Sequence, residues 1–327
     1  MSKLIKDEFH SDLIPAPMRY AVLLPDGYED VREPYPLLYA LHGGGGNGWD
    51  TMTRLQVGLE QAWQNSNLPK LVAVAPTATL SFWMDYKDGS QLWEKLLIGP
   101  FLTYLRQTYK VRQDRDGMLV FGASMGGMGG LRLTFKHPDI FGAVAGLEPG
   151  IEAALDWKDV TTEDRWYRGD ERFTDVFGNP VDEEYWAANN PASIAARNAR
   201  KLVESKLAIY LDCGDEDSFG LYRGTEFLHR VLADNAIPHE YHLIRGSDHI
   251  GTALAERTQD ALKFLGKFLN PPPVDPLVTE LRTRLKASIG LRSTSIMHSP
   301  TAKEIEALRN SFGNPMSLWV SNIPPIK

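Results

Sequence analysis

An α/β fold with a mostly parallel central sheet is the architecture this sequence predicts, and three observations carry the prediction. Short, β-rich apolar runs alternate with longer stretches of helical period along the first 270 residues. Several runs, such as Leu71-Val72-Ala73-Val74-Ala75, are apolar at every position, as strands covered on both faces must be. The composition, 43% apolar and 24% charged over 327 residues, is that of a chain able to bury a sizeable core. Disorder, collagen-like sequence and coiled coil are thereby excluded.

In chain order, strands are expected at Met18–Leu24, Pro36–Leu41, Leu71–Ala75, Met118–Phe121, Ala143–Leu147, Leu207–Leu211 and Tyr241–Ile244. Between and after them, helical periods run over Thr51–Gln64, Leu92–Tyr109, Met125–Lys136, Ser193–Ser205, Gly224–Asn235 and Thr252–Phe268. Two regions break the alternation. Residues 150–190 hold Trp157, Trp166, Trp186 and many charges without a clear period, and are expected to form a cap-like insertion over the sheet edge. Pro271-Pro272-Pro273 then ends the last helix, dividing a main domain, 1–270, from a C-terminal extension, 271–327. In the extension, Leu277–Ile289 has helical character and Thr301 with Glu304 suggests a capping box. From Val274 onward seven Lys/Arg face four Asp/Glu, opposite in sign to the body, and Trp319 lies near the end. Docking on the body or on a second subunit is expected, with a homodimer as the default.

Composition also narrows the partners. A net charge of −7 argues against nucleic acid, and no apolar run approaches the ~18 residues of a membrane span. The single cysteine, Cys213, excludes an internal disulfide framework or a cysteine-rich metal site. The opening residues lack the apolar stretch of a secretory signal, so a cytoplasmic setting is expected.

Gly122-Ala123-Ser124-Met125-Gly126 is a G-x-S-x-G motif between a strand-like run and a helical one. A strand-to-helix turn sharp enough to expose a serine hydroxyl requires small residues on either side of it. Ser124 is therefore the expected nucleophile. Upstream, His42-Gly43-Gly44-Gly45-Gly46 follows the strand Pro36–Leu41. Consecutive glycines let backbone N–H groups approach a tetrahedral oxyanion closely, and this loop type serves that role. The expected donors are the N–H groups of Gly44 and of Met125. A phosphate-binding loop would need Gly-Lys-Ser/Thr, which Gly46-Asn47-Gly48-Trp49 lacks.

With the order nucleophile, acid, histidine, the base must come late in the chain. His249 qualifies: it sits in Arg245-Gly246-Ser247-Asp248-His249, just past the strand Tyr241–Ile244 and before a helix. His42 comes too early and is expected to be structural. Four carboxylates, Asp212, Asp215, Glu216 and Asp217, crowd the loop after Leu207–Leu211. Asp217 lies deepest in that loop and is the expected acid, with Asp215 second.

With these motifs in hand, the chain resembles the superfamily of α/β-hydrolases that includes esterase D, feruloyl esterases and antigen 85. Tyr20–Tyr28 is similar to the family's opening strand and Pro-x-Gly-Tyr turn, and Tyr35–Gly44 to its oxyanion strand. Gly122–Gly127 is similar to its nucleophile signature, and Gly214-x-x-Asp217-x-Phe219 to its acid loop. The likeness covers roughly Phe9 to Leu269. One departure stands out: S-formylglutathione hydrolases usually carry Ser-Gly-Leu-Thr-Cys where this chain has His42–Gly46.

Residues and resemblance together imply an α/β-hydrolase fold and a cofactor-free serine carboxylesterase acting on small acyl or aryl esters. An acyltransferase or thioesterase using the same triad is the alternative, and a non-catalytic binding protein comes last. Trp83, Tyr86 and Trp49 are expected to wall the substrate pocket, because an aromatic wall suits flat or short apolar groups.

Overall fold

The structure, a computed structural model, describes residues 1–289 together with Lys303 and Glu306. It divides into two units, Met1–Pro271 and Pro272–Lys327. The first is built on eight strands: β1 (Lys3–Phe9), β2 (Met18–Leu24), β3 (Leu37–Leu41), β4 (Val72–Pro76), β5 (Met118–Ala123), β6 (Ala143–Leu147), β7 (Ala208–Gly214) and β8 (Glu240–Ile244). They form one sheet in the order β1-β2-β4-β3-β5-β6-β7-β8, antiparallel at β1/β2 and β2/β4 and parallel from β4 to β8.

Alternation along the strands sends side chains to two buried layers. Val22, Tyr39, Leu41, Val74 and Val120 face one side, and Ala21, Leu38, Ala40, Ala73 and Leu119 the other. The second layer is closed by α1 (Gly48–Gln64) together with Ala261, Leu262 and Leu265 of α11 (Ala253–Leu269). The first is closed by α2 (Trp93–Ile98), α3 (Pro100–Thr108), α4 (Met125–Lys136), α8 (Pro191–Arg197) and α10 (Tyr222–Asp234). Residues 150–190 hold the short helices α5 (Thr162–Arg165), α6 (Asp170–Phe177) and α7 (Glu183–Ala187), and α9 (Ala199–Ser205) leads into β7.

Three departures from the expected elements have local causes. β1 was not expected, because Lys3–Phe9 is mostly polar; as an outer strand paired only with β2 it needs few buried side chains. The single helix expected over Leu92–Tyr109 is broken at Gly99-Pro100, where Pro100 starts α3 and cannot donate to α2. The one expected over Ser193–Ser205 starts earlier, at Pro191 behind the Asn190 cap, and breaks at Asn198. In the second unit, α12 (Pro276–Ile289) is the described helix, while the expected capping box at Thr301–Glu304 and Trp319 lie outside the described residues. No helix among the described residues is long and apolar enough to cross a membrane.

Parallel strands end at one common edge, and register aligns their ends: Leu41 with Gly122, Ala123 with Leu147, Leu147 with Asp212, Gly214 with Ile244. The loops beyond these residues carry Gly44, Ser124, Asp217 and His249 on that edge. A buried ion cluster fixes the helices beneath. Arg132 of α4, fully buried, meets Glu94 of α2, which also takes Lys136 at 2.8 Å and His137 at 2.8 Å. Burial opposes ionisation of Glu94, but Arg132, His137 and Lys136 outweigh it and hold the carboxyl well below its usual range.

Replacing Glu94 by Ala leaves Arg132 buried and short of its partner, and should destabilise the fold by about 3–5 kcal/mol in urea unfolding. In the parent chain this contribution is present above the ordinary Glu value and is lost as pH falls below it, because protonation releases the cluster. A loss under about 1 kcal/mol would show that the cluster is peripheral to stability.

Candidate active site

Ser124 occupies the turn between β5 and α4 with φ 57° and ψ −120°, a backbone region that a side-chain-bearing residue rarely adopts. Backbone packing enforces the turn. A Cβ on Gly126 would lie 2.0 Å from the Leu41 carbonyl oxygen, and one on Gly122 would lie 2.2 Å from that of Gly126. The Ser124 N–H donates to Leu147 O at 2.9 Å, and its carbonyl accepts from Met128 at 3.0 Å and Gly150 at 3.2 Å.

The crowded acid loop is sorted by its partners. Asp212, still on β7 and fully buried, pairs with Arg257 Nη2 of α11 at 2.6 Å. Asp215 accepts from the Gly246 N–H at 2.6 Å, and Glu216 is exposed. Asp217 reaches His249, with Oδ2 2.7 Å from Nδ1. Its other oxygen, Oδ1, accepts from the N–H groups of Phe219 (2.8 Å) and Leu221 (3.3 Å). Asp248 ties the two loops together by accepting from the Ser218 N–H at 2.7 Å. Burial alone would lower the His249 pKa; the hydrogen bond to Asp217 and the charges of Glu148 and Asp217 reverse this and raise it above its usual value.

Ser124 and His249 border the same cavity space, though a direct Ser124–His249 hydrogen bond is not among those described. Gly43 and Gly44 border it too, and a Cβ on Gly43 would lie 3.3 Å from Ser124 Cβ. His42 is apart from this chain of contacts. Its Nε2 accepts from the Ala78 N–H at 3.0 Å, which assigns the proton to Nδ1, where it is donated to Gly43 O at 2.8 Å. Burial keeps the ring's pKa below its usual value, so His42 braces the glycine loop as a neutral residue.

Two cavities meet at Ser124 and His249. One, of about 750 Å³, is lined by Leu80, Phe82, Phe219 and, from residues 150–190, by Tyr167, Arg168 and Arg172. The other, of about 500 Å³, runs between α1 and α11 and is lined by Leu55, Val57, Leu147, Glu148 and Leu254. The aromatic residues expected at the pocket need correcting, since none of the three lines either cavity. Trp83 is fully buried, with Nε1 donating to His42 O at 3.1 Å and its ring filling the space that Gly129 leaves open. Tyr86 is a core residue at 8% exposure. Trp49 lies in a separate groove with Lys6 Nζ 3.6 Å from its ring centre. Their places are taken by Phe82, Tyr167 and Phe219, the last sitting edge-on to His249 with centroids 4.7 Å apart. Of the three expected cap tryptophans, Trp186 is buried, Trp157 packs on it, and Trp166 is exposed but stacks on Phe219.

Residues 11–253 match the family described as "Putative esterase". A Mycobacterium tuberculosis protein named "Esterase MT1326" is 27% identical over 242 residues, covering 69% of this chain and 51% of its own length. S-formylglutathione hydrolase of Bos taurus is 30% identical over 164 residues, 48% of this chain and 51% of that one. The chain thus spans about half the length of these curated relatives. Among solved structures, a ferulic acid esterase superposes with a TM-score of 0.67 at 21% identity, over 82% of this chain and 99% of that one. An S-formylglutathione hydrolase from Agrobacterium tumefaciens gives 0.66 at 18% identity, over 83% and 96%. At these identities the likeness to the solved structures is one of fold: the α/β-hydrolase fold.

Gly126→Ala forces a Cβ onto a backbone oxygen that no side-chain rotation can move. Urea unfolding should show a loss at or beyond the about 1–3 kcal/mol typical of overpacking. A loss below about 1 kcal/mol would mean that the turn has slack.

Proposed function

The chain belongs to the esterase family that its residues 11–253 match, and from that premise we propose that it is a serine carboxylesterase working through Ser124, His249 and Asp217. The observation that carries the reading is the 2.7 Å bond from His249 Nδ1 to a buried Asp217, beside a serine held in a strained turn. With Nδ1 committed to Asp217, Nε2 is the nitrogen left to take the Ser124 proton. Ser124 Oγ attacks the ester carbonyl, and the N–H groups of Gly44 and Met125 receive the oxyanion. His249 returns the proton to the departing alcohol. Water, deprotonated by the same nitrogen, then releases the acid and restores Ser124. Asp217 keeps the ring in the required tautomer and offsets its positive charge in both half-reactions.

The cavity lined by Phe82, Tyr167 and Phe219 supports short acyl or aryl esters as substrates, with residues 150–190 serving as the cap. Phe82 and Phe219 offer apolar faces. Arg168 lies over the Phe82 ring, 4.8 Å from its centre, so the guanidinium lends that wall a polar edge.

A p-nitrophenyl ester chain-length series should show turnover that Ser124→Ala lowers by roughly 10⁴-fold or more. Turnover in that variant within tenfold of the parent would overturn the assignment. Because the base must be neutral, kcat/KM should fall as pH drops through an apparent pKa above the ordinary 6.5 of histidine. Phe82→Ala should shift preference along the ester series while leaving acetate-ester turnover within a few fold. An unchanged preference would place the acyl group elsewhere.

A further inference from the structure

Beside the Asp217–His249 pair stands a third buried ionisable group that the mechanism above does not use. Glu148 is the first residue after β6, with its side chain 3% exposed. A carboxylate oxygen of Glu148, one of Asp217 and a ring nitrogen of His249 all lie within 4.8 Å of one another. Its backbone is in the left-handed region, φ 38°, and its N–H donates to Asp212 O at 2.7 Å. Unfavourable backbone placed next to reactive groups is where a functional role is worth seeking.

The charges around Glu148 are unevenly matched. Arg257 Nη1 of α11 sits 2.8 Å from Glu148 Oε2, but the same guanidinium also binds Asp212 of β7 through Nη2. Arg257 Nη1 further reaches Ser247 Oγ at 3.5 Å and Asp248 O at 3.4 Å, in the loop that carries His249. Three buried carboxylates thus surround two groups: Asp212 and Glu148 meet the permanent cation Arg257, and Asp217 meets His249, a ring that can become a cation. While all three carboxylates are ionised, a proton arriving on His249 relieves the excess of negative charge.

We propose that Glu148, held by Arg257, is a second positioning carboxylate for His249, sharing with Asp217 the positive charge that the ring gains each time it takes the Ser124 proton. This rests on the esterase reading for its role in turnover, but not for its effect on the ring. Burial pushes the Glu148 carboxyl up to about 7, against the pull of Arg257 and His249, so Glu148 and His249 titrate in the same pH range and must be treated as a coupled pair.

The decisive measurement is the His249 titration by NMR, which needs no substrate. Glu148→Gln keeps the shape and removes the charge, and should lower the His249 pKa by about one unit. Glu148→Asp, which keeps the charge, should recover most of that shift. In the unaltered chain, the Glu148 carboxyl and the His249 ring should report the same two macroscopic steps, a readout that survives even if the Gln variant does not fold. An unmoved His249 pKa, or two independent single steps, would overturn the proposal. On any ester that the parent turns over through Ser124, the Gln variant should move the acid limb of kcat/KM down by the same amount. It should lower kcat several fold with KM little changed. If the NMR shift appears and no ester is turned over, the esterase reading fails while the Glu148–His249 coupling stands.

Discussion

Everything at this site depends on how closely the start of α4 is pressed against the ends of β3 and β5. Only a residue without a Cβ lets a helix backbone come that near to the Leu41 carbonyl, and Gly126 supplies it. That approach turns the chain through Ser124, lifts the hydroxyl over the strand ends and aims the first amides of α4 at the same space. It also brings the Gly43–Gly46 loop against the serine from the β3 side. Position, strain and polarity at Ser124 are three effects of one contact.

Around this fixed point the molecule spends its buried charge on locating loops. Arg132 on α4 gathers Glu94, the Trp83 carbonyl and Asn189, fixing the helix layer under the turn. Arg257 on α11 does the equivalent work across the sheet edge, reaching β7, the end of β6 and the histidine loop. Buried ion pairs of this kind are weak contributors to net stability when compared with apolar packing, yet each partner strongly dictates where the other sits. Their value here lies in holding three loops to a common geometry.

Much of this was legible in the sequence because strand, turn and helix chemistry at Ser124 are all local. Leu119 to Lys136 contains the run, the glycines and the helical period in one window, and β7 and β8 end in loops whose Asp217 and His249 follow a known order. What sequence reasoning missed is non-local. Phe82 and Trp83 are adjacent aromatic residues, both at positive φ, and distant segments separate them: Trp83 packs on His42 and Gly129 in the core, while Phe82 packs on Phe173 and Phe177 and lines the cavity. Glu148 and Arg257 are far apart in the chain and meet only because β6 and β7 are neighbours and α11 packs across them. β1 carries no pattern of burial because an outer strand has little to bury.

Thr79, Phe82, Trp83, Ser124 and Glu148 all carry side chains in a backbone region better suited to glycine, and all lie in loops at the carboxyl edge of the sheet. Each holds its conformation at a price of order 1–3 kcal/mol that the surrounding packing must offset. Under the proposed mechanism, selection for a sturdier chain and selection for a faster one would therefore pull in opposite directions at these positions. Substitutions that relax the edge would raise the melting temperature first and loosen the placement of Ser124 soon after. The thermal margin of this protein and the geometry of its strand-end loops draw on the same few dihedral angles.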